Sequence, residues 1–95
     1  MTCVFEVIDK TGRKIYMPVS SWKHINLHHP DVSNKFEDIK DVVITPLIIK
    51  QDIGDEGLHY YYKYFKSKRT YLLVLVRYLN GEGFIITSFY VKNIK

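Results

Sequence analysis

Three of the four histidines of this chain fall in one short stretch, at His24, His28 and His29. Histidine titrates near neutral pH, so it can act as a general acid, a general base or a metal ligand. His24 and His28 have the i, i+4 spacing of two ligands on one helix face, and Asp31 could supply a third. No glutamate lies between them and no cysteine partners them, a poor match to zinc motifs. We therefore expect no metal and no other cofactor. His29 shares the side of Trp22, where a histidine is more often a half-buried structural residue than a catalyst.

Cations and hydroxyl groups recur in strand-like segments of the second half of the chain. A five-residue loop over residues 66–70 would place Lys63 opposite Leu73 and bring Arg77 onto the same face. The next turn decides which hydroxyl joins them: Thr87 if the loop covers residues 80–82, Ser88 if it covers residues 80–83. We thus expect one sheet face to gather His59, Tyr61, Lys63, Arg77 and one hydroxyl group.

Two interpretations of Lys63 and Arg77 stay open. Arginine presents a planar fork to phosphate and lysine a point charge, so together they suit a phosphate site. Charges within a sheet are costly unless they are paired, so both could instead reach the sheet edge or pair with Asp52, Asp55 or Glu56. The sequence shows no glycine-rich phosphate loop, no GxSxG motif and no CxxC motif.

Composition sets the broad class of the protein. With 95 residues, 46% of them hydrophobic, we expect one ordered domain over residues 1–95. The net charge of +4 points towards polyanions, although small soluble proteins often carry such a charge. Cys3 has no partner for a disulfide, the N-terminus lacks a signal-peptide pattern, and the longest apolar run, residues 71–76, is too short for a membrane span. We expect a cytoplasmic protein that does not enter a membrane.

The pattern of apolar residues and turns predicts an α+β fold. Two short helices should pack on a four-stranded antiparallel sheet that follows an N-terminal β-hairpin. Ser20 or Ser21 is a candidate cap for the first helix, and Ser33 or Asn34, with Glu37, for the second. The predicted strands cover residues 3–8, 14–19, 46–52, 58–65, 70–79 and 84–91, and the predicted helices cover residues 22–29 and 33–43.

A series of short motifs runs from Trp22 to the C-terminus. In chain order they are Trp22-x-His24-Ile25-x-x-x-His29-Pro30-Asp31, then Ile39, Val43, Pro46, Ile48 and Asp52, then Tyr61-Tyr62-Lys63, then Tyr71 and Val74-x-Val76, and last Phe84-Ile85-Ile86-Thr87-Ser88-Phe89. Their order resembles that of small phage- and prokaryote-borne proteins classed with barnase-, EndoU-, colicin- and RelE-like nucleases. Asp31, Ser88 and Phe89 depart from the Glu, Ala and Tyr of the family pattern, and Phe89 lacks the tyrosine hydroxyl.

The resemblance implies an endoribonuclease that needs no metal, in which the ribose 2′-OH attacks the adjacent phosphate. His29 or His24 would be the acid or base, Lys63 and Arg77 would hold the phosphate, and Thr87 would orient a phosphate oxygen. The RNA-binding candidates are Tyr61 and Tyr62, which could stack on bases, and the cations of the loop that follows, Lys66, Lys68 and Arg69.

Two other functional classes compete with this one. The same basic face could hold RNA or a protein without catalysing any reaction, and a toxin-like nuclease would have an antitoxin or immunity protein as its partner. Catalysis requires His24, His29, Lys63 and Thr87 to converge in one cleft, whereas a binding module does not.

Overall fold

The structure, a computed structural model, describes residues 3–95. In this part of the chain, no helix is both long and apolar enough to cross a membrane. The elements along the chain are β1 (Cys3–Ile8), β2 (Lys14–Pro18), α1 (Val19–His28), a 3-10 turn (Pro30–Val32), α2 (Phe36–Ile44), β3 (Ile48–Gln51), β4 (Leu58–Phe65), β5 (Thr70–Leu79) and β6 (Glu82–Val91).

All six strands belong to one mixed sheet, in the order β1-β2-β6-β5-β4-β3. The α+β class is as expected, but the predicted four-stranded antiparallel sheet with a separate hairpin is wrong. The hairpin joins the sheet because β2 pairs in parallel with β6, Ile15 beside Gly83 and Tyr16 beside Phe84. Gly83 makes this approach possible, since a Cβ at that position would lie 2.8 Å from the Tyr78 ring and 3.1 Å from Ile15.

The two faces of the sheet differ in what covers them. One face, here called the helix face, packs against α1 and α2, with α1 against β6 and β2 and α2 against β5 and β4. Its side chains form one apolar core with those of the helices. The fully buried members of that core include Ile15, Met17, Ile25, Ile39, Val42, Val43, Tyr61, Leu72, Val74, Val76 and Ile85. The opposite face, here called the open face, carries the alternate residues of each strand.

Helix α1 begins earlier in the chain than the capping pattern predicts, and helix α2 begins later. α1 starts at Val19 with the extended Pro18 as its N-cap, so Ser20 and Ser21 fall inside the first turn and cap nothing. α2 starts at Phe36 with Lys35 as its N-cap, and no side chain caps it. The predicted caps Ser33 and Asn34 precede it, and Asn34 takes a left-handed φ of 61°, which is incompatible with a helix start. Glu37 pairs with Lys40 at 3.1 Å instead of completing a capping box.

A carboxylate at the tip of the first hairpin fixes the hairpin to the middle of the sheet. Asp9 is only 5% exposed, and its Oδ2 accepts hydrogen bonds from the hydroxyls of Tyr61 on β4 and Tyr78 on β5. The next residue, Lys10, donates its backbone N–H to the carbonyl of Val43 on α2. The hairpin tip is therefore held by both layers of the fold.

The strand registers overturn the predicted clustering of cations. Phe65 pairs with Thr70, so the β4–β5 turn has four residues rather than five, and Lys63 lies opposite Leu72 instead of Leu73. A shift of one residue moves a side chain to the other face. Lys63 therefore lies on the helix face and Arg77 on the open face.

One of the two positions that the sequence left open for β6 is observed, Thr87 opposite Leu75, but it does not arise from a three-residue turn. The turn has only two residues, Asn80 and Gly81, both with positive φ, the geometry favoured in tight hairpins. A bulge at Ile86 supplies the missing residue, so Thr87 faces the open side together with Arg77 rather than with Lys63.

Candidate nucleic-acid interface

Aromatic side chains dominate the open face of the sheet. The strand registers place them on four neighbouring strands, and the helices do not cover them. Stacking on such rings is the usual way in which proteins hold the bases of a single strand. The aromatic residues of the open face are Tyr16, Tyr60, Tyr62, Tyr64, Tyr71, Phe84 and Phe89.

A cavity of about 520 Å³ opens in the middle of this face. Tyr62 and Leu73, only 4% and 5% exposed, form its floor, and the half-buried Tyr60 and Phe89 form parts of its wall. The volume lies within the range of about 300–1,000 Å³ typical of ligand sites, and the lining is mainly apolar, as such sites usually are. Tyr62 thus lies in the open face but at the base of a cavity, not on an exposed platform.

One carboxylate of the cavity is held firmly in place. Asp52 Oδ1 accepts a hydrogen bond of 2.7 Å from the Tyr60 hydroxyl, and its Oδ2 accepts one of 3.0 Å from the Gly54 N–H. This hydrogen bond raises the pKa of Tyr60, because the phenol must keep its proton to donate to Asp52, and the negative charge of the carboxylate adds to the effect. Asp52 is therefore a fixed anionic group at the rim, with Lys50 as a cation on the same lining.

One end of the sheet is strongly cationic. Lys66, Lys68 and Arg69 lie in the turn between β4 and β5, and Lys92 follows β6 beside Thr70, whose hydroxyl donates to the carbonyl of Val91. All four cations are exposed, and none of them forms an ion pair with another described residue. These four residues are called the cationic end below. Their positive charges lie where a phosphate backbone could reach them without displacing a carboxylate.

The cationic end adjoins exposed aromatic surface. Tyr64 and Tyr71 face each other across β4 and β5 in the second residue pair from the turn, with ring centroids 5.2 Å apart in an edge-to-face arrangement. Tyr64 is 45% exposed, so its ring is available to a ligand. Lys68 lies on the other side of the sheet end, with its ammonium 5.6 Å from the centre of the Tyr90 ring.

The two predicted phosphate clamps are separated and neutralised. Lys63 Nζ lies 2.8 Å from Asp41 and donates to the Thr45 hydroxyl at 2.7 Å. This lysine holds the pKa of Asp41 below its usual range. Arg77, on the opposite face, lies 2.8 Å from Asp55. Arg77 therefore pairs with Asp55, one of the carboxylates that the sequence offered, whereas Lys63 pairs with Asp41, which was not among them.

The histidines form a row of rings at the end of α1. His24 is exposed and lies 4.7 Å from the His28 ring and 6.0 Å from the His29 ring. His29 stacks on Phe89 at a centroid distance of 5.0 Å, which brings one imidazole next to the wall of the cavity. Within residues 3–95, no group of three or more His, Cys, Asp or Glu side chains is placed to hold a metal ion.

Thr87 lies on the same strand and the same face as Phe89, two residues away. Its hydroxyl oxygen is buried and has no hydrogen-bond partner within the described residues. The structure therefore brings His29, through Phe89, and Thr87 and Arg77 to the open face. It leaves Lys63 on the helix face, and His24 touches only the other histidines among the predicted residues.

Tyr61 is a core residue rather than a base-stacking one. Its ring is fully buried on the helix face, and its hydroxyl contacts both Asp9 and the Tyr78 hydroxyl. Burial raises the pKa of Tyr78 to about 12, so both phenols stay protonated at neutral pH. Burial also lowers the pKa of the neighbouring His59, with the charge of Arg13 adding to the effect.

Sequence reasoning missed the residues that shape the open face. Tyr60, Phe89 and Lys50 line the cavity, but none of them was a predicted site residue. The alternation of Tyr60, Tyr62 and Tyr64 along one strand was the available signal, because residues two apart share a face. Asp9 was also missed, since a carboxylate in a turn normally indicates only the turn itself.

No family model matches this chain, and neither the curated proteins nor the solved structures contain a match.

Proposed function

We propose that this protein binds single-stranded RNA across the open face, with the phosphates held at the cationic end. The observation that carries the proposal is the proximity of two features at one end of the sheet: cations that form no ion pair with another described residue, and the ring pair of the exposed Tyr64 and the half-buried Tyr71 on the open face. Single-strand binding proteins combine a positive groove for the backbone with aromatic rings for the bases.

The choice of cations follows from their pairing. A cation already paired with a carboxylate gains less from a phosphate, because the new contact must replace the old one. Lys63 and Arg77 are paired, whereas Lys66 and Arg69 are not. The positive net charge of +4 adds a favourable long-range field. Binding without catalysis is therefore the function that the geometry supports best.

The test is a titration of fluorescently labelled single-stranded RNA with the purified protein. The variant Lys66→Gln/Arg69→Gln removes two charges of the cationic end and keeps most of each side chain. We expect it to weaken binding at least tenfold, since several phosphate contacts dominate such affinities. The control, Lys10→Gln/Lys23→Gln, removes the same charge elsewhere and should change binding by less than about twofold.

A further variant in the same titration tests the contribution of base stacking. Tyr64→Ala should weaken binding by about 1–3 kcal/mol, the usual contribution of one base on one aromatic ring.

Equal losses of affinity in Lys66→Gln/Arg69→Gln and Lys10→Gln/Lys23→Gln would show that only net charge matters and not the position of the cations. Absence of RNA binding by the wild-type protein at low salt would reject the proposal.

A second candidate is the metal-independent endoribonuclease implied by the sequence resemblance. One observation favours it: His29 stacks on Phe89, so an imidazole lies beside the strand that carries Thr87, on the face that also carries Arg77. An imidazole there could exchange the proton of a ribose hydroxyl. A nuclease of this kind would have an antitoxin or immunity protein as its partner.

Both candidate functions place the protein in the cytoplasm, because RNA is abundant there and the free thiol of Cys3 fits a reducing compartment.

Incubation with single-stranded RNA in the presence of EDTA separates the two candidates. A nuclease should produce 2′,3′-cyclic phosphate ends, and His29→Ala should abolish them while His28→Ala does not. RNA that stays intact in the presence of a protein that binds it would leave binding as the function. Cleavage that survives His29→Ala would remove His29 from the mechanism.

A further inference from the structure

The edge strand β3 carries an unpaired side and a cluster of exposed apolar groups. In the sheet order it lies outermost and pairs with β4 alone. The other edge strand, β1, is interrupted by a bulge between Cys3 and Phe5, a feature that keeps edges from pairing with other chains. β3 has a regular register over all four of its residues, so its outer side is suited to accept another strand.

The backbone direction of β3 determines which residues can pair outward. The Asp52 N–H donates to the carbonyl of Leu58, and in the same register Ile48 and Lys50 lie opposite Tyr62 and Tyr60. Hydrogen-bonded pairs alternate along an antiparallel ladder. The backbone groups of Lys50 and Asp52 therefore point towards β4, whereas those of Ile49 and Gln51 point away from the protein.

Exposed apolar side chains flank this free edge. Leu47 is 64% exposed, Ile48 is also exposed, and Ile53, just after the strand, has no neighbour that shields it at all. A fully exposed isoleucine next to a free edge is unfavourable in a monomer, because the edge and the side chain both invite association.

The charges at the edge are also unpaired. Lys50 and Asp52 lie on the open face two residues apart, and neither forms an ion pair with another residue in the range 3–95. The Asp52 carboxylate is held by Tyr60 and Gly54, as described above, and the Lys50 ammonium contacts the main-chain oxygen of Lys95. Lysine has three donors, so this contact leaves two of them free.

We propose that two copies of this chain pair through antiparallel β3 strands, with Gln51 on the two-fold axis. In that register Lys50 of each copy lies opposite Asp52 of the other, and Ile49 lies opposite Ile53. The sheet continues across the axis as twelve strands. The same edge is used twice, as a two-fold interface requires. This inference is independent of RNA binding.

The register follows from the charges. Only Ile49 and Gln51 can lie at the centre, because only their backbone groups point outward. A pair centred on Ile49 would put each Lys50 beside Ile48 of the second copy and leave Asp52 without a cation. The pair centred on Gln51 joins unlike charges on one face of the new sheet and isoleucines on the other, and cross-strand pairs of both kinds are stabilising.

The area available predicts a weak dimer. A four-residue strand with a few flanking apolar groups is smaller than the interface of about 1,200–2,000 Å² that stable complexes bury. We therefore expect a monomer–dimer equilibrium that shifts with protein concentration, measurable by sedimentation velocity over a wide concentration range.

Two substitutions target the interface and leave the hydrogen bonds of the monomer's own sheet intact. Ile53→Asp places a charge opposite Ile49 of the second copy at a site that is fully exposed in the monomer. Gln51→Pro removes the N–H nearest the axis, which the monomer does not use within its sheet, together with the exposed 2.9 Å bond from the Gln51 amide to the Glu56 carbonyl. Each should weaken dimerisation at least tenfold. The control Leu27→Asp changes an exposed apolar residue on α1 and should leave the equilibrium unchanged.

Mixing charge variants gives an independent check. Lys50→Glu and Asp52→Lys should each dimerise poorly, because like charges then meet across the axis. Their mixture should form heterodimers, since unlike charges are restored at both pairs. A wild-type protein that stays monomeric throughout, or a dimer insensitive to both Ile53→Asp and Gln51→Pro, would overturn the proposal and leave the edge to an extended peptide from another protein.

Discussion

At the scale of single residues, Asp9 shows how one buried carboxylate can organise a fold. Its two oxygens accept five hydrogen bonds, from the Thr11 N–H and hydroxyl, the Arg13 N–H, and the Tyr61 and Tyr78 hydroxyls. Burial disfavours the charged form, but these bonds outweigh burial and hold the pKa of Asp9 below its usual value of 3.8. The Arg13 guanidinium, 3.6 Å above the centre of the Tyr78 ring, covers the network from outside.

Tyr61→Phe should destabilise the protein by about 1.5–3 kcal/mol, because it removes a hydrogen bond to a buried charged group. The free energy of unfolding from urea titration measures the effect. Tyr60→Phe is the matched control, since it also removes a phenol–carboxylate bond, to Asp52, but at the surface. A smaller loss is expected there, and equal losses in the two variants would contradict a special role for Asp9.

The same network predicts how stability depends on pH. Because the pKa of Asp9 is lowered by folding, the charged carboxylate stabilises the native state above pH 3.8, and this contribution is lost as the pH falls through the lower folded pKa. Asp9→Asn should therefore reduce the loss of stability in acid that the wild-type protein shows. Asp41, whose pKa is also lowered, keeps part of that loss in the variant. Unfolding free energies measured from pH 7 down to about 2 give the comparison. Identical profiles for the two proteins would exclude Asp9 as a source of acid sensitivity.

Lys63 provides a prediction that separates pairing from function. Lys63→Gln breaks the ion pair with Asp41, in which both side chains are partly exposed, and should cost no more than about 1 kcal/mol of stability. RNA affinity should stay within about twofold of wild type, because Lys63 lies on the helix face, away from the proposed binding surface. A large loss of affinity in a folded Lys63→Gln variant would return this lysine to the site.

At the scale of elements, the positions of strands could be predicted, but their registers could not. The apolar and turn patterns locate β1, β4 and β5 to the residue. The sheet face on which a side chain lies depends on the length of the preceding turn, and the predicted length of the β4–β5 turn was wrong. Arg69 takes a φ of 53°, which shortens the β4–β5 turn by one residue and moves Arg77 away from Lys63. Nothing about an arginine indicates a left-handed conformation, since Gly and Asn are the residues that favour it.

Gly83→Ala tests the junction between the hairpin and the rest of the sheet. The added methyl group would lie 2.8 Å from the Tyr78 ring, which the Asp9 hydrogen bond holds in place, and 3.1 Å from Ile15, so β6 would have to move away from the ring or β2 away from β6. We expect a loss of about 1–3 kcal/mol, as for other overpacked sites. Gly54→Ala is the control, because its nearest neighbour would be Asp52 Oδ2 at 3.7 Å. Comparable stability of the two variants would show that β2 tolerates the displacement.

At the scale of the whole molecule, the sheet order was beyond sequence reasoning. The parallel contact of β2 with β6 rests on two residue pairs almost seventy positions apart, and no local pattern specifies it. Part of the candidate site was unpredictable for the same reason. Its cations in the turn, Lys66, Lys68 and Arg69, were predicted because a basic loop is a local feature. The open face was not, since it exists only after six strands have assembled with helices on one side.

The salt dependence of RNA binding tests whether the whole cationic end acts together. For single strands, the logarithm of the affinity falls with the logarithm of the salt concentration by about 0.7 for each phosphate neutralised. Lys66→Gln/Arg69→Gln removes two of the four cations, so the slope should become shallower by up to about 1.4. The Tyr64→Ala variant should bind more weakly with an unchanged slope, because stacking releases no counterions. A wild-type slope near zero would mean that no phosphate is held at this end, whatever the affinity. An unchanged slope in the double variant would assign the phosphate contacts to the two remaining cations of this end, Lys68 and Lys92, which would be the next to replace.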